Sequence, residues 1–176
     1  LPNIPEAIIA MLATASIGAI WSSSSPDFGI KSVTDRFSQI QPKIIFSASS
    51  YIYNGKSFSS IEKLQEIIKQ LPTIEKVIIV DYLKTKPDYA KIPNSINYET
   101  LLSNDPDPIC FEQVPFDHPL YVLYTSGTTG LPKSIVHGTG GTLIQHKKEF
   151  LLHCDVDRED TVFYYTTCGW MMWNWL

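Results

Sequence analysis

Helical patterns alternate with short, continuously apolar segments through the first 80 residues of this 176-residue chain. Apolar side chains recur at helical intervals over residues 4–18, 29–40 and 59–71. Residues 43–46 and 76–80 follow the second and third of these helices, and we predict them to be short buried strands. Strands that are apolar throughout and are joined by helices are buried on both faces. The pattern therefore predicts an α/β fold with a mostly parallel sheet flanked by helices.

Local signals predict where several elements begin. Ser59 and Glu62 have the spacing of a capping box before the third helix, and Thr142 and Gln145 have the same spacing before a later helix. Residues 19–22 are a further candidate for a short strand.

Residues 82–119 interrupt this regular order with six prolines. We interpret them as an irregular surface excursion within one domain, with a short helix around residues 98–102. A strand is predicted again at residues 120–124.

Composition and charge exclude several classes of protein. A net charge of −4 without a block of basic residues does not support nucleic-acid binding. No segment approaches the roughly 20 apolar residues of a membrane span, and the start of the chain lacks the pattern of a signal peptide. The three cysteines, Cys110, Cys154 and Cys168, are odd in number and never closely spaced. Reduced thiols in a cytoplasmic protein fit this better than a disulfide framework, and Cys168 is predicted to be a small core residue.

The loop after strand 120–124 carries the clearest chemical signal. Glycines at 127 and 130 allow the backbone to turn its N–H groups toward an anion. Four nearby hydroxyls add donors, and Lys133 supplies a mobile positive charge suited to outer phosphates or departing pyrophosphate. The residues predicted to contact nucleotide phosphates are Thr125, Ser126, Gly127, Thr128, Thr129, Gly130 and Lys133.

The spacing of the loop separates it from other phosphate-binding motifs. Counting from Gly127, Pro132 stands where a Walker A loop requires its second glycine, and a kinase-type glycine loop does not fit. A plain polar surface loop is the alternative interpretation. The preceding strand and the Pro-Lys that follows favour phosphate binding.

Residues 124–133 resemble the signature loop of the adenylate-forming superfamily, which comprises acyl-CoA synthetases, luciferases and peptide-synthetase adenylation domains. Most of the superfamily has glycine after the loop lysine, where this chain has Ser134. The acetoacetyl-CoA synthetase family tends to carry a small non-glycine residue there, and the chain is similar to that family in particular. The further segments that carry this similarity are residues 53–56, 115–119, 134–137, 140–146 and 165–174.

This resemblance implies ATP-dependent activation of a carboxylic acid to its CoA thioester through an acyl-adenylate. ATP with Mg²⁺ and CoA are the expected cofactor and co-substrate, and small molecules are the expected partners. Both ends of the sequence look cut, so residues 1–176 are expected to be an incomplete portion of one large N-terminal adenylating domain. The magnesium ligand and the C-terminal domain with its catalytic lysine are expected beyond this chain. No metal ligand is therefore predicted here, and the piece alone is expected to be inactive.

The resemblance also implies roles for residues outside the loop. Arg36 matches a position that contacts the CoA nucleotide in relatives, although a solvated surface arginine is the simpler interpretation. Relatives place a segment that lines the acyl pocket where this chain has Gly169, Trp170, Met171, Met172 and Trp173. Plain core packing is the alternative for that segment.

The histidines carry less chemistry. His146 and His153 are seven residues apart on a predicted helix, too far to share a metal ion. His137 is expected to order local hydrogen bonds.

Three alternatives to acetoacetate activation stay open at this point. The parent could act on another short acid, such as acetate or propionate. It could be a non-catalytic nucleotide-binding protein that has kept the loop, or the chain could be a structural α/β domain with an accidental match.

Overall fold

The computed structural model describes residues 1–89, 91–103, 105, 107–125 and 130–176. The α-helices are α1 (Pro5–Ser16), α2 (Ile30–Ile40), α3 (Ile61–Gln70), α4 (Thr139–Lys148) and α5 (Met171–Trp175). The strands are β1 (Ile44–Ala48), β2 (Ser50–Tyr53), β3 (Lys56–Ser59), β4 (Lys76–Val80), β5 (Ser95–Asn97), β6 (Pro119–Thr125) and β7 (Lys133–Gly138). A 3₁₀-helix (Tyr98–Leu101) follows β5, and a π-helical turn (Glu149–His153) follows α4.

The parallel sheet predicted from the alternating pattern is confirmed. Its strands lie in the order β1-β4-β5, and both neighbours of β4 run parallel to it. β4 has the predicted bounds, and its residues Val77 and Ile79 are almost fully buried. Both residues pack against Leu64 of α3, so the central strand is covered by a helix as the pattern requires.

Two antiparallel hairpins accompany this sheet, and the sequence pattern did not predict their pairing. β2 pairs with β3, and β6 pairs with β7. Asn54 and Gly55 join β2 to β3 with positive φ angles of 48° and 73°. This dipeptide is a strong hairpin signal because a two-residue turn with positive φ matches the twist of the flanking strands.

The excursion contributes more to the fold than was expected. Within residues 82–119, β5 extends the parallel sheet, and Ile92 is buried beside β4. The short helix predicted around residues 98–102 is confirmed as the 3₁₀-helix, whose Tyr98 is buried. The prediction that the excursion is irregular is therefore wrong for the part that joins the sheet.

Three other local predictions need correction. Residues 19–22 form only an isolated bridge between Trp21 and Tyr121, because Trp21 meets β6 at one pair. The N-cap of α3 is Ser60 rather than Ser59, although the Ser59 hydroxyl still accepts a bond of 3.3 Å from the Ile61 N–H. Thr142 lies inside α4, because this helix already begins at Thr139, directly after β7.

Helix α2 brings the parallel sheet and the second hairpin together. Its Val33 and Phe37 form a buried cluster with Ile67 of α3. Tyr124, near the end of β6, packs against the same cluster. One face of α2 therefore lies beside the strand that leads into the predicted phosphate loop. In the part of the chain that the structure describes, no helix is both long and apolar enough to cross a bilayer.

Candidate phosphate-binding site

The two strands at the base of the predicted loop hold its described ends side by side. Thr125 at the end of β6 pairs with Lys133 at the start of β7, so the last threonine before the loop lies opposite the loop lysine. The Lys133 side chain is exposed, and Gly130 has a φ of 95° that a residue with a side chain rarely adopts. The other predicted phosphate ligands, Ser126, Gly127, Thr128 and Thr129, lie outside the described residues.

Helix α2 contacts this hairpin on both sides of the loop. The Tyr124 hydroxyl donates a hydrogen bond of 2.9 Å to the Arg36 carbonyl oxygen. The Gln39 amide nitrogen donates to the Pro132 carbonyl oxygen at 2.9 Å and to the Asp35 carbonyl oxygen at 2.7 Å. Sequence reasoning missed Gln39, because nothing local identifies a bond between residues 93 positions apart.

Arg36 is half-buried rather than fully solvated. Its Nη1 donates to the Ser32 carbonyl oxygen at 2.7 Å and to the Ser32 hydroxyl at 2.6 Å. The guanidinium carbon lies 4.9 Å from the centre of the Phe28 ring and 5.8 Å from that of Tyr124. Arg36 therefore lies directly beside the strand that leads into the loop, in a position stabilised by cation–π contacts.

Burial at this junction also affects ionisation. It raises the pKa of the Tyr124 phenol, and the Ser22 hydroxyl and the Arg36 charge oppose that rise. The Tyr124 hydroxyl therefore stays protonated near neutral pH and remains available as a donor to α2.

The predicted acyl-pocket segment packs against the serines that precede α2. Ser23 donates a hydrogen bond of 2.6 Å to the Cys168 carbonyl oxygen. A Cβ placed on Gly169 would lie 3.1 Å from the Ser25 backbone nitrogen, so a side chain here would be tightly packed. Beyond it, Trp170 and Met171 are 63% and 45% exposed, and their apolar side chains are free to shape a site.

The buried thiol of Cys168 donates to the Leu1 carbonyl oxygen at 3.1 Å, and burial raises its pKa. This confirms that Cys168 is a core residue and not a thiolate nucleophile.

A cleft of ≈ 290 Å³ lies between β7, α4 and α5. His137, His146 and Met171 line it, and the His146 ring meets Trp175 edge-on at 5.5 Å. Burial lowers the pKa of both histidines, and for His146 the proximity of His137 lowers it further. Both imidazoles are therefore neutral at pH 7. Within the described ranges, no group of three or more metal-ligating side chains is present.

A larger groove of ≈ 640 Å³ lies between residues 19–26 and residues 42–48. Its walls include many apolar side chains, among them Phe28, Val33 and Phe46. This lining does not suit a triphosphate, whereas the hairpin end with Lys133 does.

Comparison with known proteins gives one consistent result along the whole chain. The sequence profile of the family described as "AMP-binding enzyme" matches residues 1–175. The chain is 55% identical over its full length to an acetoacetyl-CoA synthetase from Danio rerio and 49% identical to an acetoacetyl-coenzyme A synthetase from Rhizobium meliloti. In both cases it spans 27% of the relative's length.

A solved acetoacetyl-CoA synthetase from Streptomyces lividans has the same fold over all of this chain. The TM-score is 0.92 and the sequence identity is 48%, with 26% of that protein covered. With the profile match, this similarity shows that the chain belongs to the AMP-binding enzyme family.

Proposed function

We propose that the full-length parent of this chain is an ATP-dependent ligase that converts acetoacetate to acetoacetyl-CoA through an acyl-adenylate. The observation that carries the proposal is the alignment of the entire chain to proteins named acetoacetyl-CoA synthetase. The arrangement of Thr125 opposite Lys133 at the end of a hairpin supports it, since this is where a triphosphate would be held.

The proposed chemistry has two steps. An acetoacetate carboxylate oxygen attacks the α-phosphorus of ATP, and the bond to the oxygen bridging the α- and β-phosphates breaks, so pyrophosphate leaves. The CoA sulfur then attacks the acyl carbonyl carbon, and AMP leaves with the oxygen that joined it to the acyl group. Negative charge grows on the pyrophosphate in the first step, where preplaced positive charge and donors lower the barrier.

Lys133 is the residue of this chain that we assign to that charge. Its side chain is exposed and its backbone is fixed by pairing with Thr125, so the amine is free to reach a phosphate. We assign the remaining phosphate contacts to Ser126, Gly127, Thr128, Thr129 and Gly130 on the basis of their hydroxyls and backbone N–H groups. When bound, Mg²⁺ would neutralise phosphate charge, and its protein ligand would lie elsewhere in the parent.

We assign the acyl group and CoA to residues outside this loop. Trp170 and Met171 offer exposed apolar surface for a short acid, beside the closely packed Gly169. Arg36 lies next to Tyr124 and could meet a CoA phosphate if its bonds to Ser32 were exchanged. Both assignments are parts of the proposal.

We also propose that residues 1–176 form a portion of one adenylating domain, with the catalytic-lysine domain elsewhere in the parent. A cytoplasmic location is supported by three cysteines without disulfide partners, two of them exposed.

The test is AMP formation by the full-length parent with ATP, Mg²⁺, CoA and a panel of short acids. We expect kcat/KM for acetoacetate to exceed that for acetate, propionate and butyrate by roughly 10-fold or more, since a site that pairs the keto oxygen rejects acids without it. A stronger preference for another acid would refute acetoacetate as the substrate, but the parent would still be an acid–CoA ligase. Absence of acid-dependent AMP with every acid would refute the enzyme and favour a non-catalytic nucleotide-binding protein.

A further inference from the structure

One side chain of helix α2 holds the peptide that leads into the loop lysine. Gln39 donates to the Pro132 carbonyl oxygen at 2.9 Å, and this carbonyl belongs to the peptide unit whose nitrogen is that of Lys133. The same amide donates to the Asp35 carbonyl oxygen one helical turn back, so the orientation of the Gln39 side chain is itself fixed.

This bond lies one residue beyond the hairpin ladder. The last ladder pair joins Thr125 to Lys133, and Pro132 precedes it. Gln39 therefore restrains the chain at the point where the ladder ends.

Helix α2 is anchored to the rest of the fold through α3 and β6. Its Val33 and Phe37 are buried against α3, and a second bond, from the Tyr124 hydroxyl to the Arg36 carbonyl oxygen, ties β6 to the same helix. One helix thus holds the strand that enters the loop and the peptide that leaves it.

We propose that Gln39 is a positioning residue for Lys133, and that its bond to Pro132 sets the point from which the lysine reaches the nucleotide phosphates. This inference rests on the proposed role of Lys133 in phosphate binding. The lysine side chain has several rotatable bonds, so fixing its backbone leaves less freedom to be lost when the amine meets its target. The resulting gain in affinity should appear for ATP and not for the acid or CoA.

The decisive variant is Gln39→Glu in the full-length parent, which keeps the shape of the side chain and replaces the donor with an oxygen facing the Pro132 carbonyl. The chain offers a closely matched control in Gln70→Glu. Gln70 also lies at the C-terminal end of an amphipathic helix and donates to the carbonyl four residues earlier, Glu66, at 3.3 Å.

We expect Gln39→Glu to lower kcat/KM for ATP roughly 10-fold, because one hydrogen bond is lost and replaced by repulsion between two oxygens. KM for the acid should stay within about twofold, and so should every constant of Gln70→Glu. Gln39→Arg, which restores a donor, should recover most of the loss. A purely structural role would instead shift the unfolding temperature and both KM values together.

The inference is overturned if Gln39→Glu behaves like Gln70→Glu, or if Gln39→Arg fails to rescue. The affinity of each variant for magnesium–ATP, measured by calorimetry without acid, distinguishes failure of the positioning role from failure of the proposed function. Suppose that the parent forms no AMP, but that the Gln39→Glu variant binds ATP more weakly than the Gln70→Glu variant does. The proposed function is then wrong, and the positioning role of Gln39 stands. If no parent variant binds ATP, both are wrong.

Discussion

Lys133 carries the charge of the predicted phosphate site, and the structure shows how its backbone is held. Pairing with Thr125 fixes one side of the residue, and the bond from Gln39 to Pro132 fixes the peptide before it. The side chain itself remains exposed. An exposed charge gains little for folding but is available to a ligand.

Replacing that charge tests its role. In the full-length parent, Lys133→Met should lower the rate of acid-dependent AMP formation by about 100-fold, the order found when one stabilising group is removed from a developing charge. The unfolding temperature should not change. Lys91→Met, at another exposed lysine, is the control and should keep full activity. Equal activity in both variants would remove Lys133 from the mechanism.

How far the site could be predicted differs from residue to residue. The loop was recognisable because its glycines, hydroxyls and lysine are contiguous in sequence. Gln39 was not, because its partner Pro132 is 93 residues away and an exposed glutamine on a helix carries no signal of its own. Arg36 was singled out, but its half-buried position between two aromatic rings follows only from tertiary packing.

Among the elements, β4 organises the sheet that supports the hairpin. It is the central strand, and Ile79 on it is completely buried. Its bounds were predicted correctly because residues 76–80 are uniformly apolar apart from their first position. The hairpin of β2 and β3 was missed, although Asn54 and Gly55 carry a local turn signal, because their flanking residues do not alternate cleanly between apolar and polar.

Truncating the central strand should be costly. Ile79→Ala in the parent should lower the free energy of unfolding by about 2–5 kcal/mol, since it leaves a cavity in a packed core. Lys91→Ala, at an exposed lysine, should cost less than about 0.5 kcal/mol. Chemical denaturation of the two variants measures the difference. Equal midpoints would mean that β4 does not organise the fold.

The cleft between β7, α4 and α5 should make stability depend on pH. Burial lowers the pKa of His146 in the folded protein below the value of about 6.5 in the unfolded chain. The unfolded state therefore binds the proton first as pH falls. The contribution of neutral His146 to the stability of the folded protein is complete above pH 6.5. It is lost progressively as the pH falls toward the lower pKa of the folded state.

Thermal unfolding of the parent between pH 7.5 and 5 measures this effect. His146→Gln cannot titrate and should show a smaller drop in unfolding temperature over that window than the wild type. His153→Gln, at an exposed histidine, should keep the wild-type drop. If the unfolding temperature of His146→Gln falls as far as that of the wild type, His146 is not the source of the pH dependence.

For the whole molecule, the exposed apolar surface is the main physical feature. Large apolar side chains that are more than 70% exposed include Ile109, Leu152, Phe163 and Tyr165. The chain spans about a quarter of the length of its relatives, so other parts of the parent are available to cover such surface. Contiguous apolar surface on an isolated domain favours association.

The 176-residue chain expressed alone should therefore self-associate at micromolar concentration. Size-exclusion chromatography with light scattering would reveal species larger than 19.9 kDa. A monomer that unfolds cooperatively would contradict this expectation and would establish the chain as an independent folding unit.

If the parent joins acetoacetate to AMP as proposed, an assay without CoA isolates that step. Isotope exchange between labelled pyrophosphate and ATP requires reversible formation of an acyl-adenylate and nothing beyond it. We expect rapid exchange with acetoacetate, exchange at least about 10-fold slower with acetate or propionate, and almost none with Lys133→Met. Exchange that does not depend on any acid, or no exchange in a parent that binds ATP, would contradict the claim.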